Sequence, residues 1–430
     1  MKKLLILGAG TAGTMMLNKL RKKLSKAEWE ITIIDKDKNH YYQPGFLFVP
    51  FGIYEKEEIV KPKDKFFPKD IKAIWDEIER IDPANNTVYL KENEPETYDI
   101  LLIATGCAPD PEETPGLKGE LWGKDIFSFY DYEGSCQLAD KLKNWEGGNL
   151  VINIVDMPIK CPPAPLEFTF LAEAYFTEKG MRDKVNITYV TPMSGAFTKP
   201  IASKMLEGLL HERNINVEAD FYIERVDEAS KKIVSYDEKE VPFDLLVSIP
   251  VNKGAAMVAE SGLDDKDDLN YAVTDKETLQ SKHYPNIFAI GDATNLPASK
   301  AGAVAHFEGE ILIENILDFI AGRPLSQKFD GHANCFIETG YGQASVIDFN
   351  YEVQPLPGKF PIPGVGPLSL LGISRINHWG KLAFKWAYWN MLLRGIPFPI
   401  STHMSMAGKT TVAELAAAEV DKVEVDEMES

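Results

Sequence analysis

The stretch KKLLILGAGTAG at the start of the chain constrains its fold more than any other. An apolar run meets a G-x-G-x-x-G turn at Gly8, Gly10 and Gly13, and helical spacing follows over 11–24. The first glycine permits a tight turn, the second lets backbone approach a pyrophosphate, and the third lets helix pack on strand. The helix then presents its positive end, at Thr11 and Ala12, to the phosphates. WEITIIDKD supplies a second strand ending in Asp35, 22 residues after Gly13. A carboxylate there accepts ribose hydroxyls. Strand, loop, helix, strand and acid predict an α/β chain that begins with a Rossmann-like dinucleotide-binding domain.

Two later strand ends bear on which dinucleotide. YDILLIATGCAPD (98–110) contains Ala104-Thr105-Gly106, and PNIFAIGDATN (285–295) contains Gly291-Asp292. These resemble the ATG and GD motifs of the two-dinucleotide-binding flavoproteins. The resemblance implies FAD, with Thr105, Gly106, Gly291 and Asp292 around it and Gln43 and Lys300 completing the set. Asp292 also suits a helix N-cap.

A second βαβ unit starts near Gly147. NLVINIV reads as its strand and APLEFTFLAEAYFTEKG as its helix. The turn between them, DMPIKCPP, has no glycine. Side chains there block a pyrophosphate and prolines remove amide donors, so this second Rossmann-like domain is expected to hold no nucleotide. Cys161 lies in that turn, close to a helix start, where the helix dipole can depress a thiol pKa. Cys335, in GHANCFIETGYGQA just after a helix expected over 301–320, is the candidate partner. Cys107 reads as packing, and Cys136, in DYEGSCQLADKLKNW, as structural. The region NHYYQPGFLFVPFG lacks the C-x-x-x-x-C of disulfide reductases.

YYQPGFLFVPFG, KCPPAPLEF and NCFIETGYGQA resemble the sulfide:quinone oxidoreductases and the related flavocytochrome c sulfide dehydrogenases, over roughly residues 1–400. The resemblance implies that hydrogen sulfide is oxidised to polysulfide or sulfur, with Cys161 and Cys335 as the redox pair beside FAD. It implies Glu167, six positions after Cys161, as proton acceptor. Some members carry a third cysteine that binds FAD covalently; Phe129 stands there, so non-covalent FAD is expected. Electrons then pass to a quinone, with Phe336 as one wall of its channel. The rivals are a haem-coupled sulfide dehydrogenase and an NADH:quinone oxidoreductase.

The C-terminal third favours quinone. Residues 353–413 contain six basic residues and no acid, whereas the whole chain carries −19. That acidity argues against nucleic acid as a partner. Four cysteines without a C-x-x-C pair or a Cys/His cluster predict no metal site. Within 353–413, HWGKLAFKWAYWNMLLRG (378–395) reads as an amphipathic helix lying on a membrane surface, with Trp379, Lys381, Phe384, Lys385, Trp386 and Trp389 as its contacts. No run reaches the roughly 18–20 apolar residues of a spanning helix. MKKLLILGAG has no cleavage site, so no signal peptide is expected.

The domains expected are 1–115 and 250–325 for FAD, 116–249 for the second unit, and 326–410 for the membrane and quinone region. An acidic mobile tail is expected over 411–430. The whole is expected to be a peripheral, monotopic membrane protein on the cytoplasmic side, forming a dimer or trimer.

Overall fold

The computed structural model describes residues 1–414, so most of the expected acidic tail lies outside the described residues. Strands β1 (Lys2–Leu7), β2 (Trp29–Asp35), β3 (Lys72–Trp75) and β4 (Ile100–Ile103) pair in parallel, in the order β4-β1-β2-β3. β4 and residues 4–7 of β1 are apolar and buried because both faces of the sheet are covered. Leu4 and Ile6 join one buried cluster, and Leu5 and Leu7 join another across the sheet. Helix α1 (Thr11–Lys23) leaves the glycine turn with Gly10 as N-cap and no side chain closing its first amides.

β5 (Ile126–Phe127), β6 (Gly148–Ile154), β7 (Val185–Val190), β8 (Asn216–Glu218) and β9 (Leu245–Ile249) form a second parallel sheet, in the order β5-β9-β6-β7-β8. Helix α2 (Ala164–Glu178) follows the glycine-free turn and is buried along most of its length. The chain then returns: β10 (Ile287–Ala289) pairs with β4 and completes five strands in the first sheet. Helix α3 (Gly302–Ile320) follows. The molecule thus contains two Rossmann-like sheets, as the alternation of strands and helices predicts.

The last unit is a four-stranded sheet of β11 (Ala333–Gly340), β12 (Gln343–Phe349), β13 (Gly358–Ile362) and β14 (Gly366–Leu370), in the order β11-β12-β14-β13. On β11, Ala333, Cys335 and Ile337 are buried while Asn334 and Phe336 are half-buried, the alternation of a strand with two different sides. Helix α4 (Arg375–Ala387) starts where the Ser374 hydroxyl accepts from the Asn377 amide at 3.1 Å, and a π turn over Tyr388–Leu392 continues it. The expected helix over 378–395 therefore begins earlier, at its serine cap, and loses regular winding sooner.

Its orientation also differs from expectation. Trp379 and Trp386 are 64% and 63% exposed, with Ile376 beside them, and match the expected outer face. Lys381 and Trp389 are buried, Phe384 and Lys385 half-buried. The lysines do not form a wet stripe: Lys381 points inward to a buried carboxylate, and Lys385 lies 3.8 Å over the Tyr54 ring, with Glu58 at 3.4 Å. The segment after α4 is tied down by Lys409, which pairs with the buried Asp348 at 2.5 Å, while His332 holds the other oxygen at 2.8 Å.

Candidate active site

A cavity of about 650 Å³ runs from the glycine turn to the inner side of α4. At the first end Gly8 has φ +92°, and a side chain there would lie 2.5 Å from the Ala104 carbonyl oxygen. A Cβ at Gly13 would overlap the Gly8 carbonyl, so Gly13 sits behind the turn and serves packing, not direct contact with a ligand. Gly10 faces open space, the cradle a pyrophosphate needs beside the uncapped start of α1. Thr11 and Ala12 line the same end. Asp35 accepts from the Ala9 amide at 2.6 Å and pairs with Lys63 at 2.8 Å, which fixes its carboxylate at the rim.

The ATG and GD motifs meet at this cavity. Thr105 Oγ1 is buried without a partner, and Gly106 has φ +67° with open space beside it. The Gly291 amide donates to Glu308 at 2.6 Å; burial raises the Glu308 pKa to about 7. Burial also raises Asp292, against the pull of Lys300 and Lys160. Lys300 donates to the Thr294 carbonyl at 2.7 Å, and Gln43 accepts from Lys160 at 3.3 Å. Uncapped helix amides, an open glycine cradle, an orphaned hydroxyl and a rim carboxylate fit a flavin dinucleotide. Gly13→Ala is expected to destabilise the chain by about 1–3 kcal/mol through overpacking and to lower the flavin content of the purified protein; urea midpoints and the visible-to-ultraviolet absorbance ratio measure both.

The middle of the cavity holds the thiols. Cys161 has φ +45°, a left-handed conformation that costs a non-glycine residue about 1–3 kcal/mol. It persists because the turn is over-determined. The Cys161 amide donates to the Lys300 carbonyl at 2.7 Å, and its carbonyl accepts from the Ala164 amide at 2.8 Å and Tyr130 Oη at 3.2 Å. Pro162 and Pro163 restrict the chain further. Cys335, on β11, lines the same cavity, and both thiols are free.

The expected depression of the Cys161 pKa is overturned. Burial pushes this thiol well above its ordinary value, the Glu167 carboxylate adds to the rise, and Lys381 opposes it. α2 starts only at Ala164, too far on for its dipole to outweigh desolvation. The same influences push Cys335 up to about 12. Cys107 also lines the cavity, on the Asp292 side; burial pushes it up to about 12. Cys136 is half-buried on the helix Tyr132–Asn144 and does not line the cavity.

Glu167 is fully buried on α2. Its Oε1 accepts from Lys381 Nζ and, at 2.6 Å, from the Glu338 amide. Burial raises its pKa, with Lys381 pulling the other way, while Glu167 is the main influence raising Lys381. The Glu338 carboxylate, also buried, accepts from His378 Nδ1 at 2.9 Å. Neither Glu338 nor His378 stands out in the sequence.

The far end is aromatic. Phe336, Phe360, Leu368, Gly380 and Phe384 line it, and the exposed Trp386 stands at its mouth. Phe129 lines the cavity and stacks on Phe168 at 4.8 Å. The buried Tyr388 hydroxyl shares hydrogen bonds of 2.7 Å with Thr11 Oγ1 and His40 Nε2, linking α4 to the glycine turn.

Residues 2–145 match the family model for pyridine nucleotide-disulphide oxidoreductases. The mitochondrial sulfide:quinone oxidoreductase of Dictyostelium discoideum is 29% identical over 400 residues, 91% of this chain and 86% of its own length. The mitochondrial mouse protein of the same name is 28% identical over 397 residues, 91% of this chain and 86% of its own. The chain is a sulfide:quinone oxidoreductase homologue. The crystal structure of the Aquifex aeolicus sulfide:quinone oxidoreductase shares this fold, with a TM-score of 0.76 over 92% of both chains at 21% identity. As such a homologue, built on the disulphide-oxidoreductase fold, the chain is a flavin-binding oxidoreductase.

Proposed function

We propose that the chain oxidises sulfide at a Cys161–Cys335 pair and delivers the electrons, through FAD, to a quinone taken from a membrane surface. The observation that carries this reading is one continuous cavity. It joins two free cysteines to a dinucleotide cradle at one end and to an aromatic mouth beside exposed tryptophans at the other.

In this reading the amides at the start of α1 hold the pyrophosphate of FAD, Asp35 the ribose, and Thr105 and Asp292 its remaining polar groups. Phe129, in the position of the family's third cysteine, leaves the flavin non-covalent. Sulfide (HS−) attacks a Cys161–Cys335 disulfide; the S–S bond breaks, one sulfur becomes a persulfide and the other leaves as a thiolate. Lys381 stabilises that anion, and Glu167 takes up the persulfide proton as the sulfur is released. Re-forming the disulfide with release of sulfur requires an electron pair to leave, and bound FAD supplies a two-electron acceptor. Phe336, Phe360 and Phe384 offer flat apolar walls to a quinone ring.

Among the described residues no helix is long and apolar enough to cross a membrane. Ile362, Val365, Ile376, Trp379 and Trp386 are exposed apolar side chains on the β13–β14 turn and the outer face of α4. Their chemistry suits insertion into a headgroup layer. In the second unit, the glycine-free turn clamped to Lys300 gives a nicotinamide dinucleotide no phosphate cradle.

Anaerobic addition of sulfide to the flavin-loaded protein is expected to bleach its visible absorbance, and decylubiquinone to restore it. NADH is expected to leave the absorbance unchanged. Bleaching by NADH but not by sulfide overturns the proposal in favour of an NADH:quinone oxidoreductase.

A further inference from the structure

We propose that His378 and Glu338 form the outer half of a proton path that enters beside the exposed tryptophans and ends at Lys381 and Glu167 in the cavity. The inference rests on the sulfide:quinone reading. Oxidation of HS− by a quinone moves two electrons to the ring, which also binds two protons: HS− + Q + H+ → S + QH2. The substrate brings one proton, so the other enters from water at each turnover.

The groups lie together in one cluster, tied by His378–Glu338 and Lys381–Glu167 hydrogen bonds and by the Glu338 amide on Glu167. His378 and Lys381 are three residues apart on α4, so they share a face. His378 Nδ1 lies 2.9 and 3.0 Å from the two Glu338 oxygens. Glu338 acts on the Lys381 charge, and Lys381 donates to Glu167. The Glu338 amide closes the loop by donating to the same Glu167 oxygen at 2.6 Å. Exposure falls from 15% for the His378 side chain to none for Glu338. His378 neighbours the exposed Trp379 in sequence, while Lys381 follows Gly380 at the aromatic end of the cavity.

Charge counting gives the chain its proton. Two buried carboxylates, Glu167 and Glu338, face one lysine. A buried charge without compensation is costly, so the cluster is short of one positive charge and favours taking up a proton from water. Tyr54, whose buried hydroxyl has no partner and whose ionisation Glu338 opposes, faces the cluster from another element. Lys385 lies over its ring. A cluster short of one positive charge can take a proton at its wet end and pass it inward.

The test separates the half-reactions by stopped flow, using His378→Ala and Glu338→Gln in the flavin-loaded protein. Bleaching by sulfide is expected within about twofold of wild type. Reoxidation by decylubiquinone is expected to slow by about a hundredfold, the lower range for a lost proton donor. Added imidazole should restore His378→Ala but not Glu338→Gln. Quenching of tryptophan fluorescence by a non-reducible quinone analogue should be unchanged, which separates proton delivery from binding. Reoxidation at the wild-type rate in both variants, or slowing that imidazole does not relieve in His378→Ala, overturns the path alone. Failure of wild-type sulfide to bleach the flavin overturns the sulfide reading and the path with it.

Discussion

Cys161→Ser is expected to lower sulfide-dependent quinone reduction by about three orders of magnitude or more, the scale seen when an enzyme loses its nucleophile. The substitution is small and keeps what holds the turn. The amide still donates to Lys300 and the carbonyl still accepts from Ala164, because both are backbone groups. Flavin content and thermal stability should therefore stay near wild type. What disappears is sulfur chemistry: an alcohol forms neither a disulfide with Cys335 nor a persulfide with sulfide. Cys335→Ser should match it, and the double variant should be no worse than either, since the pair acts as a unit. Steady-state reduction of decylubiquinone by sulfide measures all three. A single variant within tenfold of wild type would falsify the cysteine scheme.

Lys381→Met carries the largest expected stability effect. It leaves Glu167 buried with its Glu338 amide contact but no cation. Removing one partner of such a pair costs about 3–5 kcal/mol, read from the urea midpoint near neutral pH. The pH dependence has a defined sign. Burial already raises the Glu167 pKa above its ordinary 4.5, and loss of Lys381 raises it further. The native state then holds a proton that the unfolded chain releases above about pH 4.5, so stability falls as pH rises through that window. The penalty should therefore be smallest below pH 4.5. Glu167→Gln in the same chain should recover most of it, because the amide needs no counter-charge. A Lys381→Met protein equally destabilised at acid and neutral pH would contradict the assignment.

The first sheet and its glycine turn were legible because every signal there is local. Strand, turn, helix and the acid at Asp35 lie within 35 residues, and each follows from the neighbouring sequence. The glycine-free turn was legible for the same reason, and so was the position of Cys161. The thiol's ionisation was not. A helix start can be read from sequence, but desolvation depends on the walls that close around it, here Tyr130, Glu167 and β11. α4 shows the same limit. Its sequence reveals two unlike faces; it does not say which faces in. Lys381 seemed to suit water until Glu167, 214 positions away, supplied a buried partner. Glu338 and His378 give no sequence signal, because one acid in a strand and one histidine beside a tryptophan carry no pattern of their own.

β11 sets the two sides of this chemistry apart by parity. Odd-numbered Cys335 and Ile337 fall on one side, even-numbered Phe336 and Glu338 on the other, where the Phe336 ring abuts Gly380 of α4. In the proposed reading, sulfur handling and ring binding would fall to adjacent residues of this strand, both of which line the cavity. The partition works by counting, and one inserted residue ahead of Cys335 would exchange the two sides. Substitutions in β11 can vary either lining independently, but its length cannot drift by an odd number without turning the reaction chamber inside out.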